Sequence, residues 1–174
     1  SSFNISAATE SIKINEKNFP DINFRSYVSD TIDTDHDGAL SADELLVVKE
    51  INICGKEISD LTGIGYFTAL ETLYCNYNML ESIDVSNNTM LKSLICDSNK
   101  LKTIDISNNM VLKNLSCFSN KISSLDVSNN KELELLFCDS NMLENIDVSN
   151  NTKLEHLNCG SNKITNIDKI TTLY

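Results

Sequence analysis

The chain has 174 residues, of which 41% are hydrophobic, a composition that suits one domain, or one domain with a small cap. Its formal net charge of −11 excludes nucleic acid or an anionic membrane as the main partner, because both require a basic surface. No apolar run reaches the length of a membrane span, so membrane insertion is not expected. The start, SSFNISAATES, lacks Met and suggests a mature or trimmed product, from which any signal peptide is already gone.

The stretch FPDINFRSYVSDTI, residues 19–32, predicts the first element, a helix with Pro20 tolerated at its start. Four apolar residues share one face of this helix: Phe24, Tyr27, Val28 and Ile32. A loop and the short helical segment SADELLVV follow. We therefore expect residues 1–47 to form an N-terminal helix–loop–helix cap.

The loop between these helices, DTDHDGALSADE, has the residue pattern of an EF-hand calcium loop. Such a loop uses oxygen ligands at positions 1, 3, 5, 7, 9 and 12, with Gly at position 6. The corresponding ligands are Asp33, Asp35, Asp37, the Ala39 carbonyl, Ser41 and Glu44. Calcium is a hard cation that prefers oxygen, so the sequence predicts one calcium ion that stabilises the cap.

Two other interpretations of this loop remain open. It could be a solvated acidic turn that binds no metal. Ser41 and Glu44 also have the spacing of a helix capping box, which explains part of the pattern without a metal. The capping box does not explain three aspartates and a glycine in register.

From Leu70 onward, a 21-residue motif, LxxLxCxxNxLxxIDVSNNxx, occurs five times without a gap. Over residues 45–174 the sequence resembles leucine-rich-repeat proteins, with Cys in the third apolar slot. Each unit holds two half-repeats, similar to a bacterial subclass with short repeats. The resemblance implies a right-handed, mainly parallel β solenoid with a small α-helical cap, and an extended segment opposite each strand.

An imperfect repeat precedes the five regular ones, with an offset of 22 residues instead of 21. Its apolar residues are Val48, Ile51, Ile53, Ile58 and Leu61. Residues 48–174 are therefore predicted to form a solenoid of about six coils. Ile167, Ile170, Leu173 and Tyr174 could cover the last coil; otherwise a continuing chain or a second copy could dock there.

The six cysteines are evenly spaced, but we predict two different environments. Five of them occupy the third apolar slot and should stack as buried free thiols: Cys75, Cys96, Cys117, Cys138 and Cys159. A linear stack does not converge on a tetrahedral zinc site, and parallel side chains keep their β-carbons too far apart for disulfides. Cys54 follows the inward-facing Ile53, so strand alternation should expose it.

Two polar residue types recur with the same period. We expect the strand-end asparagines to bond the backbone of adjacent coils: Asn78, Asn99, Asn120, Asn141 and Asn162. We expect the recurring aspartates to have turn or stacking roles: Asp84, Asp105, Asp126 and Asp147.

Function should therefore lie in the varying positions on the outer face of the sheet. A candidate partner surface contains apolar residues bordered by acids: Tyr74, Ile95, Asp97, Phe118, Leu135, Phe137 and Asp139. Exposed apolar patches with polar rims mark many binding surfaces, although ordinary β-propensity explains the same pattern.

No catalytic constellation occurs in the sequence, so we predict that the chain is not an enzyme. The family resemblance implies a secreted or cell-surface bacterial protein whose partner is a host or bacterial surface protein. The alternative is a structural spacer or self-assembly unit that forms homo-oligomers through its C-terminal end.

Overall fold

A computed structural model describes residues 11–165. Its first part contains two very short strands and two short helices. These are β1 (Ile12–Lys13), α1 (Ile22–Tyr27) with a π-helical continuation over Val28–Ile32, β2 (Ala39–Leu40) and α2 (Ala42–Val47). The antiparallel pairing of β1 with β2 was not predicted from the sequence. The predicted domain boundary at residues 47 and 48 lies at the end of α2.

The second part is a parallel sheet whose strands follow one another in chain order. The strands are β3 (Glu50–Asn52), β4 (Thr72–Tyr74), β5 (Ser93–Ile95), β6 (Asn114–Ser116), β7 (Leu135–Phe137) and β8 (His156–Asn158). Glu50 pairs with Thr72, 22 residues away, and Thr72 pairs with Ser93, 21 residues away. The predicted solenoid and its longer first coil are therefore confirmed.

The side opposite the sheet contains little regular structure. Within residues 11–165, one isolated parallel bridge on this side joins Asp84 and Asp105. A short 3₁₀ helix, Ile64–Tyr66, replaces the turn of the first coil. The described segments opposite the strands therefore form no continuous second sheet, and their extended conformation stays a prediction.

Alternation along each strand separates the core from the outer face. The middle residue of each strand from β3 to β7 is fully buried, as Leu73 and Leu94 show, and its two neighbours point outward. The buried residues form one hydrophobic core that continues from the cap into the coils. Each coil therefore buries its apolar side against its neighbours and needs a cap at the end of the array.

Phe19 is the central contact between the cap and the solenoid. Its ring lies edge-on to Phe24, with centroids 5.7 Å apart, and 5.8 Å from the ring of Tyr66. Gly63 has φ +104° there, and a Cβ at this position would lie 2.4 Å from the Phe19 ring. Only glycine allows both the backbone conformation and this close contact.

Asp21 joins the cap to the first coil through hydrogen bonds. Its Oδ1 accepts the backbone N–H groups of Asn23 and Phe24 and so caps α1. Its Oδ2 accepts the backbone N–H of Ser59 at 2.8 Å and the Ser59 hydroxyl at 3.0 Å. One carboxylate therefore fixes the start of the helix against the solenoid.

The predicted asparagine ladder is confirmed, and Asn120 illustrates its geometry. Its Nδ2 donates to the carbonyl oxygens of Cys96, Cys117 and Phe118, at 3.0, 3.1 and 3.3 Å. Its Oδ1 accepts the backbone N–H of Leu101 at 3.0 Å. Each ladder residue thus joins its own coil to the preceding one and satisfies backbone groups that would otherwise be buried without partners.

A second asparagine column lies in the IDVSNN turns, and we did not predict its role. Its members are Asn88, Asn109, Asn130 and Asn151, all buried. The Nδ2 of Asn109 donates to the carbonyl oxygens of Val85 and Asn88 at 3.1 and 2.9 Å. Its Oδ1 is buried without a hydrogen-bond partner, as are the Oδ1 atoms of the other three.

The recurring aspartates have the predicted turn role. The Oδ1 of Asp84 accepts both the backbone N–H and the hydroxyl of Ser86. Asp105 and Asp126 accept the corresponding backbone N–H groups in their own coils. Hydrogen bonds from the serine side chain first, and from its backbone second, lower the pKa of all three carboxyl groups.

The predicted environments are confirmed for five of the six cysteines, whereas Cys159 is less buried than predicted. Cys54 is exposed, Cys159 in the last described coil is partly buried, and the four between them are buried free thiols. Burial raises the pKa of Cys138 to about 12 and that of Cys117 well above its usual value. The ladder thiols are therefore protonated at neutral pH and act as small apolar side chains.

Candidate partner surface and metal-binding loop

The predicted apolar residues form a row on the outer face of the sheet. This strip consists of Tyr74 on β4, Ile95 on β5, Phe118 two residues after β6, and Leu135 and Phe137 on β7. All five side chains are partly buried and still reach solvent. The strip crosses four successive coils.

Two ion pairs lie along one edge of the strip. The Nζ of Lys92 is 2.6 Å from Glu71, and the Nζ of Lys113 is 2.8 Å from Glu134. Each ion pair joins equivalent positions of two adjacent coils. The basic residues of this edge are thus neutralised within the chain.

Asp97 is not the exposed rim residue that the sequence predicted. Its side chain lies on the outer face, but only 5% of the residue is exposed. Its Oδ1 accepts the Ser116 hydroxyl at 2.6 Å and the backbone N–H of Phe118 at 3.1 Å. Alternation alone predicted the side of the sheet correctly, but the next coil binds Oδ1 and leaves little of the residue exposed.

Burial is the main cause that raises the pKa of Asp97, and the charge of Asp139 raises it further. The hydrogen bonds from Ser116 and Phe118 oppose these effects but do not cancel them. Asp139 itself is partly buried. Within residues 11–165, no ion pair connects either carboxylate to a basic side chain.

Polar groups of β6 also lie among the apolar residues of the strip, and little in the sequence indicated their burial. Ser116 is only 6% exposed although it belongs to the outer face. The Oδ1 of Asn114 is buried without a partner, while its Nδ2 donates to the Ser93 hydroxyl at 3.3 Å. The available signal was that both outward positions of β6 are polar, whereas both outward positions of β7 are apolar.

The predicted metal loop brings three of its candidate ligands together. One carboxylate oxygen each from Asp33, Asp35 and Asp37 lies within 4.8 Å of the other two. Asp33 is buried at 2% exposure, and the other two are exposed. Gly38, with φ +82°, makes the turn that EF-hand position 6 requires.

The remaining candidate ligands are held by hydrogen bonds within the loop and α2; the backbone N–H of Ala39 donates to Asp37 at 2.8 Å. One carboxylate oxygen of Glu44 accepts the backbone N–H and hydroxyl of Thr34, and the other accepts those of Ser41. Ser41 and Glu44 thereby form the capping box of α2. Burial raises the pKa of Glu44, but these bonds outweigh it and lower the pKa to about 2. Ala39 lies in β2, paired with Lys13.

Comparison with known proteins identifies the kind of solenoid. Internalin J of Listeria monocytogenes is 40% identical over 70 residues, which are 40% of this chain and 8% of that protein. The functional domain of InlJ from the same species, which includes a cysteine ladder, superposes with a TM-score of 0.84 and 38% identity. That match covers 91% of this chain and 35% of the other. The chain carries an internalin-like leucine-rich-repeat solenoid.

A second comparison supports the fold alone. The internalin InlF of Listeria monocytogenes superposes with a TM-score of 0.87 and 24% identity, over 97% of this chain and 51% of that one. The internalin-like chain thus spans about half or less of the length of each of these three relatives. No protein-family model matches the sequence. None of the helices in residues 11–165 is long and apolar enough to cross a membrane.

Proposed function

We propose that this internalin-like chain is a protein-binding module of a secreted or cell-surface protein, and that the strip is its contact surface. The observation that carries this proposal is the strip itself, a set of partly buried apolar side chains from four successive coils on the outer face of the sheet. Aromatic side chains of this kind dominate the binding energy of many interfaces. The partner is a host or bacterial surface protein.

The chain acts by binding and not by catalysis. The outer face of the sheet is open and has no walls that exclude water from a reacting group. The exposed His156 on β8 is therefore a surface residue. The 38% identity to the InlJ domain supports this assignment to a bacterial surface module.

A matched pair of triple variants tests the strip. The first replaces Tyr74, Phe118 and Phe137 with alanine. The control replaces the exposed methionines Met90, Met110 and Met142 with alanine, so that it also removes three large apolar side chains. Immobilised proteins are incubated with host and bacterial surface extracts, and the captured proteins are identified by mass spectrometry.

We expect the control to capture the same protein as the wild type and the strip variant to lose it. Both variants must retain the wild-type circular dichroism spectrum for the comparison to count. Equal capture by the strip variant would show that the strip is not the contact surface.

We also propose that the cap binds one calcium ion through Asp33, Asp35 and Asp37. The donors fit this ion, because calcium prefers carboxylate oxygens and these three converge within 4.8 Å. Glu44 is engaged by Thr34 and Ser41, so it supports the loop through α2. Calcium would neutralise the repulsion among the three carboxylates and stabilise the cap.

Thermal unfolding with and without calcium tests this second proposal. Calcium at ten times its Kd should stabilise the folded chain by about 1.4 kcal/mol, and EDTA should remove the gain. Asp35→Asn should abolish the response. The control Asp43→Asn, an exposed carboxylate in α2, should preserve it. A wild-type melting curve that is unchanged by both calcium and EDTA would contradict the proposal.

A second candidate function is a spacer that self-assembles through its last coil. Among the described residues, β8 is the outermost strand of the sheet on the C-terminal side. Leu157 and Cys159 are partly exposed, whereas their equivalents Leu136 and Cys138 are fully buried. The predicted cover over residues 167–174 lies outside the described residues.

Light scattering of the chain, with and without residues 168–174, tests for homo-oligomers. A mass that stays monomeric in both cases contradicts this function.

A further inference from the structure

The two edges of the strip differ in how their charges are compensated. On one edge, Lys92 and Lys113 are paired with glutamates within the chain. On the other edge, Asp97 and Asp139 have no basic partner within residues 11–165. The second edge therefore presents uncompensated negative charge beside apolar side chains.

An aromatic ring lies between these two acids. Asp97, Phe118 and Asp139 occupy the same position in three successive coils, because β5, β6 and β7 pair with a constant offset of 21 residues. The backbone N–H of Phe118 is bonded directly to Asp97. A cation placed over an aromatic ring gains from the ring's negative face, and adjacent carboxylates add to that attraction.

Because Asp97 is buried, its negative charge is poorly hydrated and would gain from a basic partner. Only 5% of the residue is exposed, and two donors, the Ser116 hydroxyl and the Phe118 N–H, are already committed to its Oδ1. A buried carboxylate without a cation loses much of its hydration and gains no ion pair in return. The raised pKa of Asp97 has the same cause. A basic group from outside the chain would supply the missing charge.

We propose that Asp97, Phe118 and Asp139 form an anchor site for one arginine side chain of the protein partner. This inference rests on the proposed function of the strip and specifies the chemistry of its partner. The guanidinium group stacks on the Phe118 ring and donates to the Asp139 carboxylate and to the Oδ2 of Asp97, the oxygen to which Ser116 and Phe118 do not donate. Arginine suits the site because its planar group both stacks on rings and binds carboxylates. The apolar residues of the strip then contact the partner around this anchor.

The site can be tested with N-acetyl-arginine amide as the probe, in an NMR titration of the ¹⁵N-labelled chain. N-acetyl-citrulline amide is the matched control, because it has nearly the same shape but no charge. We expect the arginine probe to shift the amide signals of Ser116, Phe118 and Asp139 in a saturable manner. The citrulline probe should bind at least about fivefold more weakly, the scale of one modest ion pair.

The chain provides its own control for non-specific charge attraction. Asp84, Asp105 and Asp126 form an exposed acidic column outside the sheet. The amide signals of the serines that they bond, Ser86 and Ser107, should move much less than those of the anchor site. Equal movement at both places would overturn the proposal, and so would equal shifts from arginine and citrulline.

Two substitutions complete the test. Asp139→Asn makes no change to a described side-chain hydrogen bond, and Asp97→Asn retains an oxygen that can accept from Ser116 and Phe118. Each should weaken arginine binding about fivefold, with the ¹⁵N spectrum otherwise preserved. If arginine fails to bind while the strip variant still loses its captured protein, the anchor is wrong and the partner surface stands. If capture is unaffected, the partner surface itself is wrong.

Discussion

The cap and the solenoid are stabilised in opposite ways. In the solenoid the main backbone-binding contacts recur from coil to coil, as the bonds of Asn99 and Asn120 show. In the cap each contact occurs once, and the bond from Ser59 to Asp21 has no second copy. Periodic structure distributes stability over equivalent units. Damage to a single cap residue therefore removes an interaction that nothing else replaces.

The largest difference between the two regions should appear in the reactivity of the cysteines. Cys54 is exposed beside the cap, whereas Cys117 is buried within the ladder and burial raises its pKa. We expect iodoacetamide to modify Cys54 at least about a thousandfold faster, because Cys117 reacts only after the structure opens. Timed labelling followed by peptide mass spectrometry measures both rates.

The denatured chain is the control for this labelling. All six cysteines should react without a reducing agent once the chain is unfolded. A smaller number would reveal disulfides and contradict the assignment of free thiols.

The next largest effect should come from the asparagine ladder. Asn120→Ala removes four hydrogen bonds from buried backbone groups, and we expect it to lower the free energy of unfolding by about 3 kcal/mol. Asn162 makes the same bonds but is partly exposed, so Asn162→Ala should cost about 1 kcal/mol. Urea unfolding measures both values. Equal losses would show that burial does not set the cost.

Within the cap, Asp21→Ala should lower the free energy of unfolding by about 2 kcal/mol, because it removes the helix cap and both bonds to Ser59. The exposed Asp60 accepts only the N–H of Thr62 and serves as the control. Asp60→Ala should stay within about 0.5 kcal/mol of the wild type. A loss at Asp21 no larger than that at Asp60 would mean that this carboxylate does not join the two regions.

The Asp21 contribution should also depend on pH. Burial raises the pKa of Asp21, but the hydrogen bonds from Ser59, Phe24 and Asn23 outweigh it, so the pKa in the folded chain is lowered. The stabilisation is then fully present above the unfolded pKa of about 3.9 and is lost as the pH falls through the lower folded value. Urea unfolding of the wild type and Asp21→Ala should therefore give converging stabilities below about pH 4.

The smallest predicted effect is a gain, not a loss, in the free energy of unfolding. Because the pKa of Asp97 is raised in the folded chain, its charged form opposes folding above the unfolded pKa, and this penalty disappears as the pH falls. Asp97→Asn should therefore raise the free energy of unfolding at pH 7 by about 0.5 kcal/mol and leave it unchanged near pH 3. Urea unfolding at the two pH values measures the gain. A loss of stability at pH 7 would show that the hydrogen bonds need the carboxylate.

The sequence predicted the solenoid far better than it predicted the cap. The 21-residue period established the parallel strands, the buried thiols and the ladder of Asn120, because each of these follows from a position in the repeat. The pairing of β1 with β2 was missed, since two-residue strands leave no periodic pattern. The contact between Phe19 and Gly63 depends on residues 44 apart in sequence and on no repeat.

The sequence likewise predicted only part of the candidate partner surface. Alternation correctly placed Tyr74 and Phe137 on the outer face of the sheet. It could not predict that Asp97 is covered, because its exposure depends on the identities of Ser116 and Phe118 in the next coil. The role of the asparagine column that includes Asn109 was also missed, since its bonds join turns and not strands.

The constant pairing offset of the sheet has a consequence for how the chain folds. Every pair of neighbouring strands joins residues only 21 or 22 apart, so each new coil closes a loop of the same modest length. The entropy cost of closing a loop rises with its length, and here that cost does not increase toward the end of the array. Folding can therefore propagate from one coil to the next. Contacts between residues close in sequence favour a high folding rate. A longer array of such coils would meet no larger entropic barrier at its last coil than at its first.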